Sequence, residues 1–207
     1  MSAIRTNDGL SPSELAEPPF ARFLFASTTA SWLWLVVRLY VGYEWISSGW
    51  EKIQSSAWMG SNAGGAVAGF AKGALTKAGG DHPDVQGWYA TFLRDVVIPH
   101  AALFSRLVSI GETAVGVALI LGALTGVAAF FGILMNANYL LAGTVSSNPI
   151  LIILGALLML AWRNAGWIGL DRWLLPALGT PWQPGPFVSR DDGRIERGDG
   201  AGGLAGT

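Results

Sequence analysis

Apolar positions gather in four runs, at residues 31–52, 101–124, 126–145 and 150–162. Their length and spacing predict helices rather than strands. The first, SWLWLVVRLYVGYEWISSGWEK, is about as long as a membrane span, yet Arg38 and Glu44 lie inside it. A charge at the centre of a helix in lipid costs about 2.5–3.5 kcal/mol on insertion scales, so such residues face protein and find a partner. At about 100° per residue, Arg38, Gly42, Trp45, Gly49 and Lys52 share one face, and Tyr40, Glu44, Ser47 and Glu51 lie nearly opposite. Two polar faces predict a central helix that touches protein on both sides.

The second run holds Arg106, Ser109, Glu112 and Thr113 in its first half. The short turn at 122–126 makes the third run its antiparallel neighbour. In that third run Gly132, Asn136, Tyr139 and Gly143 share a face, which suits close packing. Asn148 and Pro149 suit the cap and first position of the fourth helix. The fourth run has no internal charge and reads as scaffolding; Trp162 at its end and Trp167 and Trp173 beyond it read as an interfacial belt.

The connection at 53–99 is too long for a structureless loop. Val67, Phe70, Ala71, Ala74, Leu75 and Ala78 follow helical spacing, and so do Val85, Trp88, Tyr89, Phe92, Leu93, Val96 and Val97. Both stretches predict amphipathic helices lying over one mouth of the bundle, with Trp88 and Phe92 turned to the spans. Resting on lipid headgroups is the plainer alternative.

The expected fold is therefore all-α: an integral membrane four-helix bundle with two interfacial amphipathic helices between spans one and two. Residues 1–26 read as a mobile tail with a short interfacial piece at 20–25, residues 27–176 as the membrane domain, and residues 177–207 as a disordered tail. Nothing at the start reads as a removable signal peptide.

Composition sharpens this. Hydrophobic residues make up 51% and charged ones 13%, with mean hydropathy +0.42, where a soluble domain carries about 25% charge. A net charge of −1 argues against nucleic acid as partner. The absence of cysteine excludes disulfides, cysteine-based iron–sulfur or zinc sites and dithiol exchange by the chain itself. His82 and His100 both lie outside the apolar runs, so neither haem nor a metal is expected. Arg5, Arg22, Arg163, Arg172, Arg190, Arg194 and Arg197 flank the spans, while the long connection is dilute in charge. The positive-inside rule then puts both termini in the cytoplasm and the amphipathic helices outside.

Several motifs occur in order: Arg38-x3-Gly42-x6-Gly49-x2-Lys52, Gly111-Glu112 with Gly116 and Gly122, Asn136 before the turn ending at Pro149, His82-Pro83 with Trp88-Tyr89, and Gly169-Leu170-Asp171-Arg172. In these the chain resembles the DoxX superfamily, and within it the DoxD-like branch, over about residues 30–176. The resemblance implies a four-helix membrane protein similar to the membrane subunit of thiosulfate:quinone oxidoreductase. That enzyme oxidises thiosulfate to tetrathionate and passes electrons to quinone, working with a second subunit, DoxA. Other DoxX relatives are associated with thiol and oxidative-stress systems.

The candidate catalytic residues are Glu112, Arg38, Glu44 and Arg106. If spans one and two are antiparallel neighbours, residues at equal depth have residue numbers with a constant sum. Arg38 with Glu112 and Glu44 with Arg106 both give 150, which predicts two cross-helix ion pairs, with Asn136 beside the inner one. Trp45, Lys52, His82, Trp88, Tyr89, His100 and Asn136 are candidates for binding substrate or quinone. Blander roles compete: Lys52 as an interfacial anchor, His82 as a turn residue, His100 as a helix cap, the aromatics as belt, and Asn136 as glue between helices.

The function expected is a membrane subunit of a quinone-coupled oxidoreductase, with quinone as the electron acceptor. The alternative is a non-catalytic membrane anchor for a soluble redox or thiol-stress partner. A transporter fits less well, since no internal repeat is apparent. Candidate partners besides the bilayer are a DoxA-like subunit, a soluble redox protein and a second copy of the chain.

Overall fold

The computed structural model describes residues 17–180; the expectations for 1–16 and 181–207 lie outside the described residues. Contacts divide the chain into two units, Met1–Leu174 and Leu175–Thr207. The regular elements among the described residues are all helices, with no strand. In the second unit, Thr180 donates from Oγ1 to the Leu175 carbonyl at 2.9 Å and closes a turn.

The elements are α1 (Pro19–Ala26), a 3-10 turn (Thr28–Ala30), α2 (Ser31–Gln54), α3 (Gly65–Leu75), α4 (Gly87–Phe92), a π turn (Leu93–Val97), α5 (Ala101–Leu121), α6 (Thr125–Leu141), α7 (Asn148–Leu160) and α8 (Asp171–Ala177). Helix α1 lies within the segment expected to be a tail. The Leu24 carbonyl ties it down, accepting from Trp34 Nε1 at 2.7 Å and Asn164 Nδ2 at 3.0 Å.

Helices α2, α5, α6 and α7 close a ring in which each touches two neighbours. Glycine sets the closest contact, between α2 and α5. A Cβ on Gly49 would meet the Thr113 backbone, one on Gly116 the Ile46 backbone, and one on Gly42 the Ile120 side chain. The residue numbers of all three pairs add to 162, so the helices are antiparallel as expected, but in a different register. The first turns of α5 run on past the end of α2. There α3 covers them, and Gly64, at φ 100°, presses on Ala101 and Ala102.

Among the described residues α5 alone is, by itself, long and apolar enough to cross a membrane, with mean hydropathy 1.6. Helix α2 passes the same test jointly with α1, from which it is bent by 60°. Helices α6 and α7 are apolar but have 17 and 13 residues. All four helices of the ring turn large apolar side chains outward: Trp32 and Val36 on α2, Leu107 and Ile110 on α5, Phe130 and Leu134 on α6, Ile150 and Ile153 on α7. Exposed apolar surface on this scale marks a contact with lipid or protein.

The second polar face of α2 does not pack on protein as expected: Tyr40 and Glu51 are exposed, and Glu44 and Ser47 are half-buried.

At one end of the ring the α5–α6 turn is held from a distance. Gly122 ends α5 at φ 66°, and Leu124, a non-glycine residue at φ 48°, begins α6. Such a conformation is costly for a branched side chain and needs support. Asp171 supplies it, accepting from the Leu124 and Thr125 amides at 2.5 and 2.9 Å. These are the first free amides of a helix, which otherwise lack partners. Asp171 is buried and its charge also reaches Arg38. Replacing Asp171 by alanine is expected to destabilise the protein by about 1–3 kcal/mol, the cost of stranding buried polar groups. Thermal unfolding in detergent measures this, and Asp171→Asn, which keeps an acceptor, should lose less.

Candidate functional site

The two amphipathic stretches fold as helices and cover the other end of the ring. Val85, Tyr89, Leu93 and Val97 are buried, spaced four apart. An α-helix drifts about 40° with each such step, because a turn takes 3.6 residues. The π turn, closed by the Ile98 amide on the Leu93 carbonyl at 2.9 Å, undoes part of that drift and keeps Val97 facing inward. Phe92 packs inward against Tyr89 and Phe104, with ring centroids 5.7 and 6.3 Å apart. Trp88 departs from the expectation and is 63% exposed.

Beneath this cover lies a cavity of about 590 Å³, within the usual range for a small-molecule site. Trp45, Phe70, Tyr89, Phe92, Phe104 and Met135 line its apolar walls. Its polar end is built around Glu112, which is 1% exposed. Glu112 Oε1 accepts from Tyr139 Oη at 2.5 Å. Oε2 accepts from Lys52 Nζ at 2.7 Å and Ser48 Oγ at 3.1 Å. Lys52 Nζ also donates to Ser48 Oγ at 2.6 Å and lies 5.2 Å from the centre of the Trp58 ring. Three helices, α2, α5 and α6, thus deliver one connected acid–base network.

Asn136 lines the same cavity, is 1% exposed, and has no hydrogen bond on either amide atom. A buried unpaired amide is costly, and here both of its atoms are open to a ligand's hydrogen bonds. Tyr89 Oη meets the backbone and side-chain oxygens of Asn138 at 3.0 and 3.2 Å. Burial pushes the Tyr89 phenol up to about 12, so it remains a neutral donor at ordinary pH.

The expected ion pairs are not formed. In the observed register Glu112 stands level with Trp50, so Lys52, two residues away, reaches it and Arg38 does not. Arg38 stands level with the α5–α6 turn, where its Nη2 donates to the Ile168 carbonyl at 2.7 Å and its guanidinium packs on Gly122 and Gly169. Arg106 is level with Ser56, beyond the end of α2 and about 18 Å along the axis from Glu44. It is exposed and has no partner among the described residues. The Glu44 carboxylate is likewise unpaired, and it lines the cavity.

Of the residues singled out from sequence, the cavity brings together Glu112, Glu44, Trp45, Lys52, Tyr89 and Asn136. It leaves out Arg38, Arg106, His82, Trp88 and His100. His82 is exposed in a turn, and His100 sits at the N-cap of α5 with Nδ1 2.9 Å from the Val96 carbonyl. Sequence reasoning missed Tyr139 and Ser48 as partners of Glu112. Their signals were present: Tyr139 follows Asn136 by three positions, and Ser48 precedes Lys52 by four.

The cavity lining holds three carboxylates, Glu44, Glu51 and Glu112, against the single ammonium of Lys52. Among the described residues no group of three His, Cys, Asp or Glu side chains comes together to hold a metal ion. The arrangement suits a neutral ring-bearing ligand, held by aromatic walls and met by proton-carrying groups at one end.

A family model described as DoxX matches residues 33–145, from α2 through α6. No curated protein and no solved structure matches the chain.

Proposed function

Because the chain belongs to the DoxX family, whose members are associated with membranes, we propose that it is a membrane subunit of a quinone-coupled oxidoreductase and binds quinone in the cavity beneath α3 and α4. The observation that carries this reading is an aromatic-walled cavity ending in the Glu112–Lys52–Tyr139 network, with the unpaired Asn136 amide beside it. Reducing a quinone to a quinol consumes two electrons and two protons. Tyr139, Glu112 and Lys52 form a chain that can hold and hand on protons at that end.

In this reading α2, α5, α6 and α7 cross the membrane. Their outward apolar faces support this, with α6 and α7 accommodated by local thinning or snorkelling. Both termini then lie in the cytoplasm, and α3 and α4 cover the outer mouth. Thiosulfate, the electron donor implied by the DoxD-like resemblance, is a dianion, and the surplus of carboxylates repels it. Its oxidation therefore belongs outside the cavity, on a DoxA-like or other soluble redox partner. Joining two thiosulfates as tetrathionate releases two electrons, which matches one quinone reduced.

The test is thiosulfate-dependent quinone reduction by purified protein, alone and with candidate partners. Activity above an empty-membrane control in any combination is the expected result. Quinone binding without turnover in every combination favours the anchor reading, and no binding overturns the cavity assignment.

A further inference from the structure

The cavity leaves both donors and acceptors open to a ligand. Its best-buried donors are committed within the protein. Lys52, Ser48 and Tyr139 converge on Glu112. Tyr89 meets the Asn138 oxygens, and Asn138 Nδ2 donates to the Leu134 carbonyl at 2.7 Å. Ser47 Oγ donates to the Glu44 carbonyl at 3.1 Å. The indole N–H groups of Trp45 and Trp58 and the hydroxyls of Thr144, Ser146 and Ser147 donate to no group among the described residues, and acceptors are open as well. The Glu44 carboxylate has no partner among the described residues, and Asn136 presents both its oxygen and its nitrogen unpaired.

A quinone carries only acceptor oxygens. It can take the Asn136 amide proton but brings nothing to Asn136 Oδ1 or to Glu44. A quinol carries two hydroxyl groups, each donor and acceptor, and is neutral at pH 7. It can accept from Asn136 Nδ2, donate to Asn136 Oδ1, and donate to a carboxylate, a charge-assisted bond stronger than a neutral one. A site built to hydrogen-bond a hydroxyl discriminates strongly against an analogue lacking it, because the buried groups are then left unpaired.

We propose that the cavity selects the reduced, donor-bearing form of its ligand, holding a quinol in preference to the corresponding quinone. This rests on the quinone-site reading above and adds a direction to it. Tighter binding of the reduced form raises the potential of the bound couple, making the bound quinone a stronger oxidant. Each tenfold preference corresponds to about 30 mV for a two-electron couple.

The experiment is anaerobic titration calorimetry of the full chain in detergent with a short-chain benzoquinone and, separately, its quinol. The quinol is expected to bind at least tenfold more tightly. In Glu44→Gln, whose amide can donate to a quinone as well as accept from a quinol, the preference should shrink severalfold. Equal affinities, or tighter binding of the quinone, overturn the proposal and leave the quinone-site reading standing. Binding of neither form overturns both.

Discussion

Replacing Glu112 by alanine is expected to cost about 3–5 kcal/mol of stability, the penalty for breaking a buried ion pair by removing one partner. Glu112 is 1% exposed and Lys52 17%, so the stranded ammonium has little water to turn to. Tyr139 and Ser48 lose their acceptor in the same step. Adding Lys52→Met should recover part of the loss, because the pair interacts directly and the two effects are not additive. Adding Arg38→Met should recover nothing, since Arg38 bonds to Ile168 at the α5–α6 turn. Chemical or thermal unfolding of the two double variants in detergent decides between them. Rescue through Arg38 instead of Lys52 would restore the register of 150 and reject the observed one.

Gly116→Val should destabilise the protein by about 3 kcal/mol or more, at the upper end of overpacking effects. The added Cβ would lie 2.5 Å from the Ile46 amide nitrogen and 2.8 Å from its Cα. Backbone cannot swing aside as a flexible side chain does, so α2 and α5 must separate. That separation also loosens the Lys52–Glu112 contact, and the variant should lose ligand binding along with stability. Gly73→Ala in α3 is the control, since nothing lies within 4 Å of its added Cβ. It should be neutral or gain up to about 1 kcal/mol from helix propensity. Unfolding midpoints that fall equally in both variants would show that the α2–α5 contact is not a close glycine interface.

The helices themselves were legible because their apolar periodicity is long and regular. Residues 31–52 were expected as the first helix, and α2 runs from Ser31 to Gln54. The faces were legible too: Arg38, Gly42, Trp45 and Gly49 are all buried. The register between helices was not. Charge matching favoured a sum of 150 and left Lys52 as a ligand-binding candidate or an interfacial anchor, with no link to Glu112. What fixes the register instead is the fit of Gly42, Gly49 and Gly116 against backbone and side chains across the interface. Steric contact at short range outweighs attraction between long side chains, which can reach other partners. Lys52 does so, reaching down to Glu112.

Asp171 was read as part of a terminal motif, with no role assigned. Its role depends on a contact between the α5–α6 turn and a segment more than forty positions later. No local pattern reports such a contact. The cover over the cavity shows the opposite case. Helical spacing placed Tyr89 and Phe92 on the inward face, where they lie, while the π turn at Leu93–Val97 and the exposure of Trp88 and Val96 escaped it.

Photolabelling of the protein in membranes with an azido-quinone, followed by peptide mapping, tests the central claim most directly. Label should attach to the cavity walls contributed by α2, α5 and α6, around Trp45, Phe104 and Met135, and excess unlabelled quinone should compete it away. Label confined to the outward faces that carry Trp32, Phe130 and Ile153, undiminished by competitor, would contradict the assignment of the cavity as the quinone site.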